Sequence, residues 1–347
     1  MKTEAMAILA TGAADVLQRM EIELPEPGPR EVRVRVRAVA LNHLDLWTRR
    51  GLPHLRYTFP HRLGADIAGE VEALGPGAVG RVGQKVVIAP GVSCGACARC
   101  AGGEDNLCRE YKILGESTQG GYARHVVVPD RNLLPYPEGR APLSWEEAAA
   151  IPLCFLTAWQ MVVRKGGVRP GQTVLVQAAG SGVSSAAIQL CKLLGAEVIA
   201  TTRAPEKAAR ATALGADHVI VTTREDLVKR VREITLRRGA DVVIEHVGGE
   251  VFEQSVLAAA WGGRVVTCGA TSGFFPKLDL RQIFFRQVEV LGSTMGSRRD
   301  LFEVLNLVQQ GKLRPVVDRT VPLWSAAEAH RALEAGAAFG KIVLLVD

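Results

Sequence analysis

Hydrophobic positions along the chain follow two different periods, and the change from one to the other falls near residue 144. Between Glu31 and Leu41, Val32, Val34 and Val36 alternate with Arg33, Arg35 and Arg37, the period of two that marks a strand with one buried face. Short apolar runs follow at 67–74 and 85–89, punctuated by Gly75, Pro76, Gly77, Gly80 and Gly83. This pattern predicts a barrel-like β domain with glycine-built turns over the first 150 residues.

Ser144 and Glu147 have the spacing of a helix capping box, and a helix-compatible run starts behind them. Beyond it, strands are predicted at 173–177, 197–201, 218–221, 241–245, 264–268 and 288–292. Helices are predicted between them at 183–194, 205–214, 225–238 and 249–259, the first two stopped by Gly195 and Gly215. Units of about 30 residues imply right-handed βαβ crossovers and a doubly wound parallel sheet covered on both faces. The C-terminal segment holds a helix at 299–310 and a strand at 341–346, which is expected to return to the first domain. The expected architecture is α/β with boundaries at 1–153, 154–292 and 293–347.

Composition acts mainly by exclusion. The 347 residues are 48% hydrophobic and 22% charged, enough for two cores and unlike a disordered or collagenous chain. The nearly unbroken apolar stretch at 148–159 falls short of the about 18 residues of a membrane span. A net charge of +6, spread along the chain, favours anionic ligands but lacks the basic run with interleaved aromatics expected for nucleic acid. Glu4 interrupts an N-terminus that has no apolar signal core, so the expected location is the cytoplasm and no membrane partner is expected.

Four of the seven cysteines, Cys94, Cys97, Cys100 and Cys108, form a C-x2-C-x2-C-x7-C run. Four thiolates from one loop complete a tetrahedral zinc and leave no position open to substrate, which makes the predicted ion structural. Iron–sulfur runs of similar start close with a shorter gap and a proline, whereas Arg109 follows Cys108. Gly95, Gly102 and Gly103 allow the loop, about residues 91–110, to fold round a small ion. An odd cysteine count argues against a disulfide framework, and Cys154, Cys191 and Cys268 read as buried hydrophobes.

The first strand–turn–helix of the second domain reads Val174-Leu-Val-Gln-Ala-Ala-Gly-Ser-Gly-Val-Ser184. Small residues here let backbone amides approach a pyrophosphate at a helix N-terminus, which makes Gly180, Ser181, Gly182 and Val183 cofactor candidates. The glycine fingerprint lapses at Ser184. The next strand ends Thr201-Thr202-Arg203, without the acid that holds the ribose hydroxyls of NAD. Arg203 and Lys207 suit a 2′-phosphate, with Thr202 as a hydroxyl donor, so NADP is expected ahead of NAD. A plain surface charge is the alternative for Arg203.

Together with Ala40-Leu-Asn-His-Leu-Asp-Leu-Trp47, Leu63-Gly-Ala-Asp66, Pro152-Leu-Cys-Phe-Leu-Thr-Ala158, Gly262-Gly-Arg-Val265 and Gly340-Lys-Ile-Val343, these features resemble the medium-chain dehydrogenase/reductase superfamily of zinc alcohol dehydrogenases and quinone oxidoreductases. The resemblance spans nearly the whole chain. It implies a GroES-like catalytic domain, a Rossmann cofactor domain, an active site in the cleft between them, and a homodimer or homotetramer built by pairing edge strands. It places Thr157, Gly269, Ala270, Thr271, Ser293, Thr294 and Met295 along the nicotinamide, with Val247 and Lys341 completing the cofactor set. Asn42 is implied as a hydrogen-bond donor to the acceptor oxygen and His43 as a proton source, with Asp45 beside them. A histidine tied to a backbone carbonyl is the alternative for His43, and ion pairs with Lys341 or an arginine are the alternative for Asp45 and Asp66.

The family's three catalytic zinc ligands correspond to Asn42, Ala65 and Leu153, none of which replaces a thiolate or imidazole. A rearranged site drawing on His43, Asp45, Asp66 or Cys154 is the remaining route to a catalytic metal. Without one, hydride transfer suits an already electrophilic quinone, enone or activated carbonyl. A zinc alcohol dehydrogenase with a relocated site, and a non-catalytic nucleotide-sensing or RNA-binding protein, are the rival readings.

Overall fold

The computed structural model describes residues 1–53, 55–139 and 142–347. They divide into two units, one of residues 1–153 with 297–347 and one of residues 154–296.

In the first unit, β1 (Lys2–Ile8) and β2 (Leu17–Glu23) form an antiparallel pair. The alternating segment becomes β3 (Glu31–Ala40), which leads into α1 (His43–Arg50) and then β4 (Asp66–Leu74) and β5 (Lys85–Ile88). Val32, Val34 and Val36 enter the core, while Arg33 and Arg37 pair across the other face with Glu72 and Glu70 of β4. The alternation thus fixes which face is wet, because a one-residue slip would drive arginines into the core. A small lobe follows, with β6 (Gly91–Val92), α2 (Ala98–Ala101) and β7 (Lys112–Ile113). Next come β8 (His125–Pro129), β9 (Leu133–Pro135) and α3 (Trp145–Ala149), the last capped by reciprocal Ser144–Glu147 hydrogen bonds.

The second unit begins within α4 (Pro152–Trp159), which runs on into a π-helical turn at Gln160–Lys165 that the sequence pattern did not suggest. The alternating elements are then β10 (Thr173–Val176), α5 (Gly182–Leu193), β11 (Glu197–Thr202), α6 (Ala208–Ala213), β12 (His218–Val221) and α7 (Leu227–Ile234). They continue through β13 (Ala240–Glu245), α8 (Gly249–Ala258), β14 (Ala259–Thr267), α9 (Arg281–Phe284) and β15 (Glu289–Gly292). The six strands are all parallel, in the order β12-β11-β10-β13-β14-β15. That order reverses between β10 and β13, so the ligand crevice of such a sheet lies beyond the carboxyl ends of these two strands. Their inner residues, among them Leu175, Val243 and Val265, form a core with Val256 and Phe252 of α8.

The chain then returns to the first unit with α10 (Arg298–Gln309), β16 (Val317–Pro322), α11 (Ala326–Glu334) and β17 (Lys341–Leu345). Strand β17 lies antiparallel to β3, with Val343 opposite Ala40, and parallel to β16.

The structure differs from the sequence expectation in a few places. Helix α7 is shorter than 225–238 because Asp226 caps it and Leu236 and Arg237 adopt positive φ. The run at 205–214 opens as a 3-10 turn, Pro205–Lys207, before α6. Residues 293–296 stay with the second unit rather than joining the C-terminal segment, since Ser293 N–H bonds Thr267 O at 2.8 Å and Gly296 packs against Leu156. Among the described residues no helix is long and apolar enough to cross a membrane.

Candidate active site and metal lobe

The cofactor candidates, Lys341 apart, all fall in the second unit. The turn after β10 needs Ala178 at φ 51°, a left-handed conformation rare for a residue with a side chain. Thr201 at the end of β11 holds it there: its hydroxyl accepts from Ala178 N–H at 2.9 Å and donates to Gln177 Oε1 at 2.7 Å. Its carbonyl accepts from Ala179 N–H at 2.7 Å. Ser181 then caps α5, accepting from Ser184 N–H at 3.0 Å. The amides of Gly182 and Val183, in the first turn of α5, have no acceptor within the helix and are the groups that would meet a pyrophosphate.

Arg203 is exposed and Lys207 half-buried just past β11. Thr202 bonds locally. Its hydroxyl proton goes to Ala204 O at 3.2 Å, so it is spent within its own turn. Glu245, fully buried at the end of β13, accepts from Val247 N–H at 2.7 Å, Gly248 N–H at 2.8 Å and Thr267 Oγ1 at 3.1 Å. Burial raises its pKa against those three donors. The turn carrying Val247 is thereby fixed, and Ser272 ties it to the loop at 269–273 by bonding Val247 O through both N–H and hydroxyl.

Thr157 is buried on α4, and Ser293, Thr294 and Met295 follow β15. Ser293 Oγ is buried without a hydrogen-bond partner among the described residues. A native hydroxyl left in that state marks a polar group still to arrive. The open helix terminus and this orphaned hydroxyl both fit a nicotinamide dinucleotide.

In the first unit, Asn42 is the N-cap of α1 and joins a buried cluster. Lys341 Nζ donates to Asn42 Oδ1 at 2.6 Å and to Asp66 Oδ2 at 2.9 Å. Asn42 Nδ2 donates to the same Asp66 oxygen at 3.0 Å and weakly to Ala40 O at 3.4 Å. Asp66 Oδ1 accepts from Leu153 N–H at 2.7 Å. Both amide protons of Asn42 are therefore directed inside the cluster. Lys341 is likewise engaged with these oxygens.

Asp45 is a positioning group. Its carboxylate accepts from Asn42 N–H at 2.7 Å and Gly64 N–H at 2.9 Å, closing the capping box of α1. Gly64 sits at φ 95°, where a Cβ would come within 2.5 Å of the Tyr122 ring, so only glycine brings that amide to Asp45. Burial pushes the Asp45 carboxyl up to about 6 despite both N–H donors. His43, the first residue of α1, has its pKa lowered by burial and by the charges of Lys341 and Arg50, so its ring is neutral at pH 7.

Both oxygens of Asp45 hold backbone amides, and the oxygens of Asp66 hold an amide and an ammonium. Among the described residues, the group of His, Cys, Asp or Glu side chains placed to hold an ion is Cys94, Cys97, Cys100 and Cys108. Their Sγ atoms all lie within 4.8 Å of one another, with Cys97–Cys100 at 3.5 Å and Cys94–Cys100 at 3.8 Å. Zn–S bonds of about 2.3 Å in a tetrahedron require sulfur–sulfur edges of about 3.8 Å. Backbone N–H groups of Ala96 and Cys97 bring the Cys94 thiol down to about 6, toward the thiolate a metal needs. Gly95 and Gly103 take positive φ to turn the loop, whereas Gly102 is ordinary helical backbone.

A second buried network supports α1 from below. Arg49, 1% exposed, bonds Gly12 O, Glu334 and His330 Nδ1. Guanidinium only donates, so Nδ1 accepts, and Nε2–H donates to Tyr122 Oη at 3.0 Å. Sequence reading missed this network and the role of Glu245. Their partners come from strands and helices far apart in the chain, which no local spacing signals.

A doubly wound sheet with an open α5 terminus, together with a β domain bearing a four-cysteine lobe, defines a nicotinamide-dependent oxidoreductase. The profile of the alcohol dehydrogenase GroES-like domain matches residues 28–138, and that of the zinc-binding dehydrogenase family matches residues 182–310. An NAD-dependent alcohol dehydrogenase of Sulfolobus acidocaldarius is 32% identical over 98% of this chain and 99% of its own. An acryloyl-coenzyme A reductase of Sulfurisphaera tokodaii is 31% identical over 97% of this chain and 99% of its own. A crystal structure of an NAD-dependent alcohol dehydrogenase, 54% identical, superposes with a TM-score of 0.95 and covers 99% of this chain and 100% of that one. The chain belongs to the medium-chain dehydrogenase/reductase superfamily, as a GroES-like plus Rossmann oxidoreductase.

Proposed function

We propose that this oxidoreductase reduces polarised acceptors, namely enones, quinones and activated carbonyls, with NADPH and without a catalytic metal. The observation that carries this reading is the Lys341 ammonium, seated on Asp66 and Asn42 where a divalent ion would need those oxygens. A conjugated acceptor needs no Lewis acid to draw a hydride, and a relative named acryloyl-coenzyme A reductase points to acceptors of that electronic type. Bound nicotinamide supplies the hydride. The chain's own groups present its N-terminal amides on α5 to the pyrophosphate and offer the Ser293 hydroxyl at the nicotinamide end. His43, neutral at pH 7, would serve as a hydrogen-bond donor to the acceptor, the proton of the reduced product coming from water. The sulfur lobe holds one structural zinc per chain.

The second reading, zinc-dependent alcohol oxidation, is favoured by the 54% identical alcohol dehydrogenase structure. Metal analysis combined with two assays separates them. One zinc per chain, with NADPH oxidation by an enone or quinone that survives a chelator, supports the metal-free reductase. Two zincs, with alcohol–NAD turnover lost to the chelator while the fold persists, overturns it.

For the cofactor form, Arg203→Ala is expected to weaken NADPH by about tenfold or more and to leave NADH within about twofold, the loss of one charge-assisted phosphate contact. Equal weakening of both in a binding titration removes the 2′-phosphate assignment. Strand β15 is one of the two sheet edges, and Trp261, Phe274, Phe275, Phe284 and Phe285 are exposed in the same unit. An open edge beside apolar surface supports a homodimer or homotetramer paired there.

A further inference from the structure

We infer that His246 is a positioning residue for the dinucleotide, locking the α5 cap across the crevice where the sheet order reverses. The inference rests on the cofactor reading above and adds a residue that no fingerprint includes.

His246 follows the last residue of β13, and its Nε2 lies 2.8 Å from Ser184 Oγ and 3.1 Å from Ser181 Oγ, at the end of the turn from β10. The proton bookkeeping is unambiguous. Ser184 donates its hydroxyl proton to Gln177 O at 2.6 Å, because a carbonyl only accepts. Ser181 Oγ receives the Ser184 N–H and donates to Ser184 Oγ at 2.9 Å. Neither hydroxyl has a proton left for the ring, so Nε2 carries the hydrogen and donates to both.

The ring is aimed from its own side as well. Glu245 fixes the backbone on its C-terminal side through Val247 N–H and Gly248 N–H, and Thr271 Oγ1 meets His246 O at 3.4 Å. Ser184, fully buried, stands where the glycine fingerprint lapses, and its hydroxyl ties the Gln177 carbonyl just past β10 to His246 just past β13. The departure from glycine is thus compensated by a side-chain brace from the neighbouring strand. The amides of Gly182 and Val183 inherit their direction from the Ser181 cap, so a cap held by His246 presents them already oriented.

The test measures binding of reduced cofactor to the intact protein by fluorescence titration, alongside thermal melts. His246→Ala is expected to raise Kd for NADPH and NADH alike by about tenfold, with kcat at saturating cofactor within about twofold of the parent. His246→Gln carries an amide nitrogen at the same bond count from Cα and is expected to restore Kd to within about threefold. Ser184→Ala is expected to raise Kd similarly, and the double variant His246→Ala/Ser184→Ala no further, as coupled groups behave. The inference is overturned if His246→Ala leaves Kd within twofold, if His246→Gln binds no better than His246→Ala, or if the two losses add. If His246→Ala does not fold, the Gln and Ser184→Ala comparisons decide alone. Failure of the parent protein to bind either reduced cofactor would instead sink the cofactor reading itself.

Discussion

Lys341→Met lowers folding stability by about 3–5 kcal/mol, the cost of removing one partner from a buried ion pair. Lys341 is 4% exposed, and Asp66 is 0% exposed. The methionine fills similar volume, so the loss comes from charge rather than from a cavity. It strands the Asp66 carboxylate with only the Leu153 and Asn42 donors, in a place water does not reach. Adding Asp66→Asn removes the stranded charge and returns more than half of the loss. Urea unfolding of the parent, the single variant and the double variant checks this, with zinc content held equal. A single-variant loss under about 1 kcal/mol, or no recovery in the double, would show that the cluster is open to solvent.

The second large effect is on the pH dependence of stability, through His330. Burial and the Arg49 charge lower its pKa from 6.5 to about 3, against the opposing pull of Glu334. The unfolded chain therefore takes up this proton first as pH falls, and stability is lost from about pH 6.5 downward. Over pH 6.5 to 4.5 the loss is about 2 kcal/mol. Asp45 acts with the opposite sign. Its carboxyl is raised from 3.8 to about 6, so the folded state is the one that gains a proton on acidification. Over the same interval that contributes about 2 kcal/mol in favour of the fold.

In the parent these two contributions oppose each other over this interval. His330→Gln keeps an acceptor for Arg49 and a donor for Tyr122 but cannot titrate, so only the His330 loss is removed. The variant's stability, measured by urea melts at both pH values, is expected to rise relative to the parent's by about 2 kcal/mol on acidification. Parallel curves would mean that His330 is protonated in the fold or exposed in it.

Most of the architecture was legible because two local signals carried it. Valine–arginine alternation marked β3, and a repeated strand–turn–helix rhythm marked β10 through β15, with termini displaced mainly by caps such as Asp226. Strands β1, β2, β8, β9 and β16 and the short β6–β7 pair were missed. They have little alternation of their own and are defined by the strands they pair with. The sulfur lobe was readable since four ligands lie in one short loop, where spacing and geometry are nearly the same thing.

The polar cluster was half readable. Asp66 with Lys341 was weighed as an ion pair, but that the Asn42 amide would be consumed by both depends on β17 lying beside β3. Asn42 and Lys341 are 299 positions apart, and no periodicity reports such a meeting. His246 was invisible for the same reason, its partners being serines 62 and 65 positions earlier.

The placement of β17 also sets an order of events during synthesis. Residues 154–296 can form their sheet from contiguous chain, whereas the sheet built on β3 stays unfinished until residues 317–345 have been made. At translation rates of about 5–20 residues per second, the nascent N-terminal strands wait on the order of 10–40 s after residue 153 for their last neighbour. Throughout that wait residues 38–40 of β3 lack their β17 neighbour and Asp66 lacks its Lys341 counter-charge, so this sheet closes only after the whole later-numbered unit has been made.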